Sequence, residues 1–160
     1  MKIYVLGICG TFMGGLAQLA SEKGMQVSGC DENVYPPMDQ VLFSKGISID
    51  EGYNPKNLPK DVDMVVVGNV IARGNPLMES ILNKGIDFIS GPEFLSKYLL
   101  SNRHVIAVSG THGKTSVSSM ITKVLLENKI DCGYLIAGRA KDLSSTASLG
   151  KHNYFVIEAD

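Results

Sequence analysis

The stretch at residues 105–116, VIAVSGTHGKTS, constrains the fold of this chain more than any other. An apolar run leads into two glycines, and a lysine and a threonine follow at the start of a helical pattern. Glycines let several backbone N–H groups converge on one anion, and a helix N-terminus adds partial positive charge. The lysine can reach terminal phosphates, and the hydroxyl can bind the accompanying magnesium. The stretch therefore predicts an ATP-binding loop made of Gly110, Thr111, His112, Gly113, Lys114, Thr115 and Ser116.

This loop is shorter than the general phosphate-binding pattern. That pattern, G-x-x-x-x-G-K-[ST], places a glycine five residues before Gly113, where this chain has Val108. The form present is G-T-x-G-K-[ST]. An ordinary strand-to-helix turn is the alternative, and Lys114 and Thr115 favour phosphate binding over it. The side chain of His112 is expected to point away from the phosphates and pack.

A second glycine-rich loop, GICGTFMGG at residues 7–15, follows the first apolar strand. A helix and a second strand come next, and Asp31 stands at the end of that strand. This order is similar to the dinucleotide-binding fingerprint, in which the acid accepts hydrogen bonds from ribose hydroxyls. Because Cys9 stands where the fingerprint has a glycine, the loop indicates a nucleotide phosphate site without indicating NAD.

Strand and helix patterns alternate through residues 1–101 and predict an α/β fold with a Rossmann-like parallel sheet. One helix is predicted to begin after an Asn75 cap, with Pro76 in its first position. Ligands bind beyond the carboxyl ends of such strands. Three loops are predicted at that edge, at residues 7–15, 31–37 and 68–74. Arg73, in the third loop, either contacts a substrate phosphate or is solvated.

The polar stretch SNRH predicts a domain boundary between residues 101 and 102. Residues 102–160 would then form the first part of a second, ATP-binding domain, with a polar serine-rich loop over residues 139–151. Its helix would carry one apolar face formed by Val117, Met120, Ile121, Val124 and Leu125. The last strand ends in acids, and an acid beside a phosphate loop commonly holds magnesium, so Thr115 and Glu158 are the predicted metal ligands. Only about two β/α units are present, so we expect a fragment of a longer protein.

Composition excludes several partners. The chain has 15 Lys and Arg against 16 Asp and Glu, so no basic excess points to nucleic acid or a membrane surface. No apolar run reaches transmembrane length, and the N-terminal segment lacks a signal-peptide cleavage site. Cys9, Cys30 and Cys132 form no C-x-x-C pair and no zinc-ligand spacing. These features favour a reduced cytoplasmic protein with no obligate protein partner evident.

Taken together, the motifs resemble the Mur ligases, the ATP-dependent amino-acid and peptide ligases of peptidoglycan synthesis. The ATP loop of that family is written G-T-x-G-K-[TS], which residues 110–115 match, and its next acidic strand ends in E-A-D in one branch, as residues 158–160 do. Within the family, GICGTFMGGLA at 7–17, DENVYPPM at 31–38 and RGNP at 73–76 resemble the branch that attaches a tripeptide in peptidoglycan recycling. The branch that adds L-alanine is the alternative.

The resemblance implies three domains, of which this chain would hold the UDP-substrate domain and the start of the ATP domain. A carboxylate of UDP-N-acetylmuramate would attack the γ-phosphate of ATP, and the amine of a cell-wall tripeptide would attack the acyl phosphate. Lys114 would be catalytic, and Thr115 and Glu158 would hold Mg²⁺. Backbone N–H groups from Cys9 to Met13 would bind the diphosphate, and Asp31 and Asn69 would contact ribose or uracil. The implied UDP-binding residues are Gly7, Cys9, Gly10, Thr11, Phe12, Met13, Asp31 and Asn69.

Two other classes of function remain open at this point. A nicotinamide-dependent oxidoreductase could be built on the first glycine loop, but Cys9 and the second phosphate loop argue against it. The second class is a non-catalytic nucleotide-binding module. It is a better description of this chain alone than of the longer protein to which the chain would belong. The adenine-binding residues and the amine-binding domain of the family would follow Asp160, so we expect no ligation by this chain alone.

Overall fold

The computed structural model describes residues 1–137, 143 and 145–159. Its first sheet confirms the predicted α/β class with five parallel strands in the order β3-β2-β1-β4-β5. The strand bounds are β1 Lys2–Leu6, β2 Gln26–Asp31, β3 Ser48–Glu51, β4 Met64–Val67 and β5 Phe88–Ser90. β2 and β3 lie on one side of β1, and β4 and β5 lie on the other, so the connections that follow β1 and β4 lead away in opposite directions. A crevice at this point of a parallel sheet is where ligands bind.

Helices cover both faces of the first sheet. The helix bounds are α1 Thr11–Glu22, α2 Met38–Ser44, α3 Pro76–Lys84 and α4 Gly91–Phe94; a 3₁₀ turn spans Pro55–Asn57, and a π-helical turn over Leu95–Leu99 continues α4. Alternate residues of β1 point to opposite faces. Ile3 and Val5 therefore join the cluster that includes α1, whereas Tyr4 and Leu6 join the cluster that includes α3. Burial on both faces explains why the central strands β1 and β4 are almost continuously apolar.

The local sequence determines where α3 begins and ends. The Asn75 side chain accepts hydrogen bonds from the backbone N–H groups of Leu77 and Met78, both at 3.1 Å. Pro76 occupies the first turn, where its missing N–H costs nothing. Gly85 closes the helix in a left-handed conformation with φ of +62°. The predicted Asn75 cap is therefore confirmed.

A second sheet has the strand order β6-β9-β7-β8. Its bounds are β6 His104–Val108, β7 Gly133–Leu135, β8 Ala147–Ser148 and β9 Tyr154–Glu158. β8 runs antiparallel to β7, and the other pairs are parallel. The prediction of a polar serine-rich loop over residues 139–151 is wrong at β8, because Ala147 pairs with Leu135 and is fully buried. Residues 138–142 and 144 lie outside the described part of the chain.

α5 spans Lys114–Glu127 and packs on the second sheet with only part of its predicted apolar face. Ile121 and Leu125 contact the buried cluster around Val156. The small residues Ser118 and Thr122 are fully buried. The other members of the predicted face are exposed: Val117 by 45%, Met120 by 63% and Val124 by 58%. The helix is therefore rotated so that small polar residues, and not the whole apolar stripe, meet the sheet.

α1 lies between the two sheets and belongs to both cores. Leu135 and Phe155 of the second sheet share one buried cluster with Val5 and Leu16 of the first. At the end of α1, the Glu22 carboxylate accepts hydrogen bonds from Lys45 Nζ at 2.8 Å and from the Leu149 amide at 2.6 Å. The predicted domain boundary falls in the segment that joins the π-helical turn to β6. In the described ranges, none of the helices is long and apolar enough to cross a membrane.

Candidate functional site

The first glycine loop lies at the carboxyl edge of the first sheet, where β1 ends. Gly7 has φ of +77°, a left-handed conformation that favours glycine. Its amide donates to Cys30 O at 2.9 Å, and the Gly10 amide donates to Gly7 O at 3.1 Å. Gly68, which follows β4, donates its amide to Leu6 O at 3.0 Å. The loops after β1 and β4 are thus held side by side at the crevice.

The first turn of α1 opens from this glycine loop. Gly10 precedes the helix and provides no side-chain cap, and the first helical hydrogen bond runs from the Gly14 amide to Gly10 O at 2.7 Å. The backbone N–H groups of the first turn, at Thr11, Phe12 and Met13, have no hydrogen-bond acceptor within the helix. A twelve-residue helix also carries partial positive charge at this end. The arrangement suits an anionic group such as a diphosphate.

Asp31 holds the glycine loop, as its hydrogen bonds show. One carboxylate oxygen accepts from the Cys9 amide at 2.9 Å, and the other accepts from the Asn33 amide at 3.1 Å. The Cys9 amide is therefore directed at Asp31, which differs from the expectation that it faces a diphosphate. The physical reason is that a carboxylate at the end of β2 lies within reach of the neighbouring loop. Burial, with the nearby charges of Asp31 and Asp39, raises the pKa of the Cys9 thiol to about 11.

The loop after β4 contains two further predicted residues. Asn69 is exposed and lines a cleft described below. Arg73 donates to both carboxylate oxygens of Glu79, at 2.9 and 3.2 Å, and the Gly74 amide donates to the same carboxylate at 2.9 Å. Of the two alternatives for Arg73, a phosphate contact or a solvated side chain, the geometry matches the second, because the side chain is 81% exposed while it pairs with Glu79. The residue fixes the end of its own loop to α3.

The second glycine loop joins β6 to α5. Gly110 has φ of +149° and Gly113 has φ of +77°, so both positions favour glycine. Lys114 is the first residue of α5, and its Nζ donates to Gly110 O at 3.0 Å. The lysine side chain thus folds back over its own loop. His112 is exposed, and its Nδ1 is 3.3 Å from Thr111 Oγ1. The expected packing of the His112 side chain is therefore not observed.

Glu158 is brought beside this loop by the pairing of β9 with β6. Val108 and Glu158 are register partners, and the Ala159 amide donates to Val108 O at 2.9 Å. One carboxylate oxygen of Glu158 accepts from the Ala137 amide at 2.5 Å, which fixes the side chain between the ends of β9 and β7. Asp160, the last acid of the predicted E-A-D motif, lies outside the described residues.

The two predicted magnesium ligands are too few to hold the ion alone, and they fit a site in which phosphate supplies further oxygens. Thr115 stands in the first turn of α5, and Glu158 ends the adjacent strand. Over the described residues, no group of three or more His, Cys, Asp or Glu side chains could hold a metal ion. Mg²⁺ commonly takes one or two protein ligands, with the remainder supplied by substrate phosphates and water. Thr115 and Glu158 match that type of site.

A cleft of about 450 Å³ extends from the first turn of α1 to Glu158 and Ala159 at the end of β9. Phe12, Met13 and Asn69 form the wall on the side of the first sheet, and Glu158 and Ala159 lie on the opposite wall. The remaining lining residues are Pro92, Leu95, Ser96, Leu100, Leu135, Ala137 and Ile157. Sequence analysis did not find these residues, because they carry no motif and come together only when α1 packs against the second sheet. The cleft can place a ligand of the first loop against the acid beside the second.

Known proteins resemble the chain in sequence and structure. A family model described as "Mur ligase family, catalytic domain" matches residues 2–103. The UDP-N-acetylmuramate--L-alanyl-gamma-D-glutamyl-meso-2,6-diaminoheptandioate ligase of Escherichia coli (strain K12) is 46% identical over 160 residues, which is 100% of this chain and 35% of that protein. The ligase of the same name from Haemophilus influenzae is 49% identical over 158 residues, which is 99% of this chain and 35% of that protein.

A solved structure agrees with these sequence relatives. The crystal structure of UDP-N-acetylmuramate:L-alanyl-gamma-D-glutamyl-meso-diaminopimelate ligase from Neisseria meningitides superposes with a TM-score of 0.95 at 43% identity. The match covers 99% of this chain and 52% of that chain. The present chain therefore spans about a third of the length of the curated relatives that it matches.

Proposed function

This chain belongs to the Mur ligase family, and from that premise we propose that it serves the ATP-dependent joining of a cell-wall tripeptide to UDP-N-acetylmuramate. The names of its relatives supply the proposed amine substrate, L-alanyl-γ-D-glutamyl-meso-diaminopimelate. The observation that carries the proposal is the cleft, because it connects the first turn of α1 to Glu158 beside the second glycine loop. The reaction would serve peptidoglycan recycling in the cytoplasm.

We assign the two halves of the chain different tasks. Residues 1–101 would bind the UDP substrate, and residues 102–160 would form the first part of the ATP-binding unit. The diphosphate would accept hydrogen bonds from the amides of Thr11, Phe12 and Met13, where the helix end favours negative charge. Gly7, Gly10 and Cys9 would shape that loop. Asp31 and Asn69 would lie toward ribose or uracil.

The ATP loop would bind the terminal phosphates through residues 110–116. Lys114 now donates to Gly110 O, and a phosphate oxygen can replace this carbonyl as the acceptor without a large movement of the chain. Its positive charge would then stabilise the charge that develops on the transferred phosphoryl group. When bound, Mg²⁺ would supply further positive charge to the phosphate oxygens, held by Thr115 and Glu158.

The proposed chemistry has two balanced steps. A carboxylate oxygen of UDP-N-acetylmuramate attacks the γ-phosphorus of ATP, the bond to the β-phosphate oxygen breaks, and ADP leaves. The tripeptide amine then attacks the carbonyl carbon of the acyl phosphate, inorganic phosphate leaves, and the amine loses a proton as the amide forms. The protein contributes mostly by alignment and charge stabilisation. The wall that carries Phe12 would orient the acceptor toward the wall that carries Glu158.

Titration calorimetry of the 160-residue chain tests the substrate assignment. We expect weak binding of UDP-N-acetylmuramate, weaker or absent binding of NAD, and no phosphate release in the presence of ATP and tripeptide. Tight NAD binding with no response to UDP-N-acetylmuramate would overturn the proposal in favour of an oxidoreductase. Ligation product from this chain alone would overturn the proposal that it is inactive. In the complete protein, L-alanine in place of tripeptide as the preferred amine would favour the L-alanine branch.

A further inference from the structure

Gly15 is a point of close approach between α1 and the second sheet. A Cβ atom placed on this residue would overlap Leu135 Cδ1 of β7, and it would lie 3.6 Å from the Ala147 Cβ of β8. Leu135 is almost fully buried, so its side chain has little space in which to move aside. A larger residue at position 15 would require Leu135 or α1 to shift, so glycine permits this close approach of the helix to the sheet.

Leu135 has a second role, because it also lines the cleft. Phe12 and Met13, less than one turn before Gly15 on α1, form the opposite wall. Two residues after Leu135, the Ala137 amide holds the Glu158 carboxylate at 2.5 Å. The Phe12 and Met13 wall and the Glu158 carboxylate define the width of the cleft. The contact between Gly15 and Leu135 therefore connects these two sides.

We infer that Gly15 is a positioning residue that sets the distance between the α1 anion site and Glu158. This inference rests on the proposed function, in which one substrate spans the cleft from the diphosphate site toward the phosphoryl group. Misplacement of reacting groups by about 1 Å can cost on the order of a hundredfold in rate. An alanine at position 15 would press on the buried Leu135 and so separate the two walls of the cleft.

Gly14 provides a matched control within the same helix. A Cβ atom on Gly14 would lie 2.5 Å from Met38 Sδ of α2, so the overlap involves a flexible side chain, as at Gly15. The contact of Gly14 stays within the first sheet and its helices, whereas that of Gly15 crosses to the second sheet. Gly14→Ala and Gly15→Ala make the same change in helix propensity. A general effect on the helix would therefore appear in both variants.

The experiment compares binding of UDP, which contacts only the first loop region, with binding of UDP-N-acetylmuramate, which reaches across the cleft. For Gly15→Ala we expect UDP affinity to be retained and UDP-N-acetylmuramate affinity to fall roughly tenfold. Gly14→Ala should leave the ratio of the two affinities unchanged. Leu135→Val, which removes the overlapping Cδ atoms, should restore the ratio in the Gly15→Ala background. A ratio that changes in both glycine variants, or in neither, would overturn the inference.

Residual dipolar couplings provide a second readout that does not depend on the ligand. Backbone couplings fitted separately to residues 2–99 and to the described residues from 104 onward report the relative orientation of the two sheets. We expect Gly15→Ala to change this orientation and Leu135→Val to restore it. An unchanged orientation in Gly15→Ala would refute the positioning role. Failure of the unsubstituted chain to bind UDP-N-acetylmuramate would instead refute the proposed function.

Discussion

The Asp31 carboxylate accepts a hydrogen bond from the Cys9 amide at 2.9 Å, and so the end of β2 holds the loop that follows β1. Asp31→Ala should open this loop and lower the free energy of unfolding by about 1–3 kcal/mol, because two amides lose a charged acceptor. Asp31→Asn keeps an acceptor oxygen and should lose less. Urea unfolding of both variants measures the difference, and equal losses would show that the hydrogen bonds are not the cause.

Cys9 should be a slow nucleophile at neutral pH. Burial, reinforced by the charges of Asp31 and Asp39, raises its pKa from 9.0 to about 11. At pH 8 the reactive thiolate is then roughly a hundredfold scarcer than in a thiol of ordinary pKa. The rate of Cys9 alkylation by iodoacetamide, followed by mass spectrometry between pH 7 and 11, should still be rising at pH 11, which places the midpoint above that of an ordinary thiol. Asp31→Asn should move the midpoint down, and a midpoint at the ordinary value would contradict the prediction.

The raised pKa of Cys9 also predicts the sign of a stability effect. The folded chain favours the protonated thiol. The stability that the protonated thiol contributes is therefore fully present below the pKa of the unfolded chain, and it is lost as pH rises through the pKa of the folded chain. The free energy of unfolding should therefore fall less steeply with alkaline pH in Cys9→Ser. Parallel denaturant titrations on the two chains measure the slopes.

Lys114→Ala in the complete ligase should lower turnover by about a hundredfold to a thousandfold, as removal of other positioned charge donors does. Lys123→Ala is the matched control, because Lys123 is an exposed lysine on the same helix and lies more than two turns beyond the loop. Phosphate release with saturating tripeptide measures both variants. Near-normal turnover of Lys114→Ala would mean that the loop is structural.

Glu79 should make folding sensitive to acid. Hydrogen bonds from the Gly74 amide and then from Arg73 lower its pKa in the folded chain. The stabilisation is present above the unfolded pKa and is lost as pH falls through the lowered folded value. Glu79→Gln should therefore flatten the dependence of unfolding free energy on pH below about 5. Arg73→Ala, which leaves the Gly74 bond in place, should flatten it less, and equal effects would assign the whole shift to Arg73.

Local sequence patterns predicted the strands and helices of the first sheet well, because these elements depend mainly on residues that are adjacent in sequence. The N-cap at Asn75 and the strand, glycine loop and helix near the N-terminus follow from residues adjacent in sequence. The α/β class follows from their alternation. The placement of Asp31 at the carboxyl edge was also predictable. Its use as an acceptor for Cys9 was not, because that contact depends on the spacing between two strands.

Contacts between the two sheets were not predictable from sequence. Gly14 and Gly15 belong to a stretch that was interpreted as a nucleotide fingerprint, yet their close contacts are with Met38 and Leu135. The strand at Ala147–Ser148 is only two residues long, and it forms because β7 offers a partner. Sequence periodicity shows which residues share an apolar helix face, but it does not show which part of that face another element covers. The exposure of Met120 on α5 was therefore not predictable.

The strand that leads into the second glycine loop lies at an edge of its sheet. Among the described strands, β6 is at the edge and pairs with β9 alone. Alternate N–H groups of an edge strand face away from their partner, and Val105 is 40% exposed. Amide hydrogen exchange should therefore be faster along β6 than along β1, which has a partner on each side. Occupation of the loop would then appear as slower exchange at the base of the strand, before any catalytic turnover is measured.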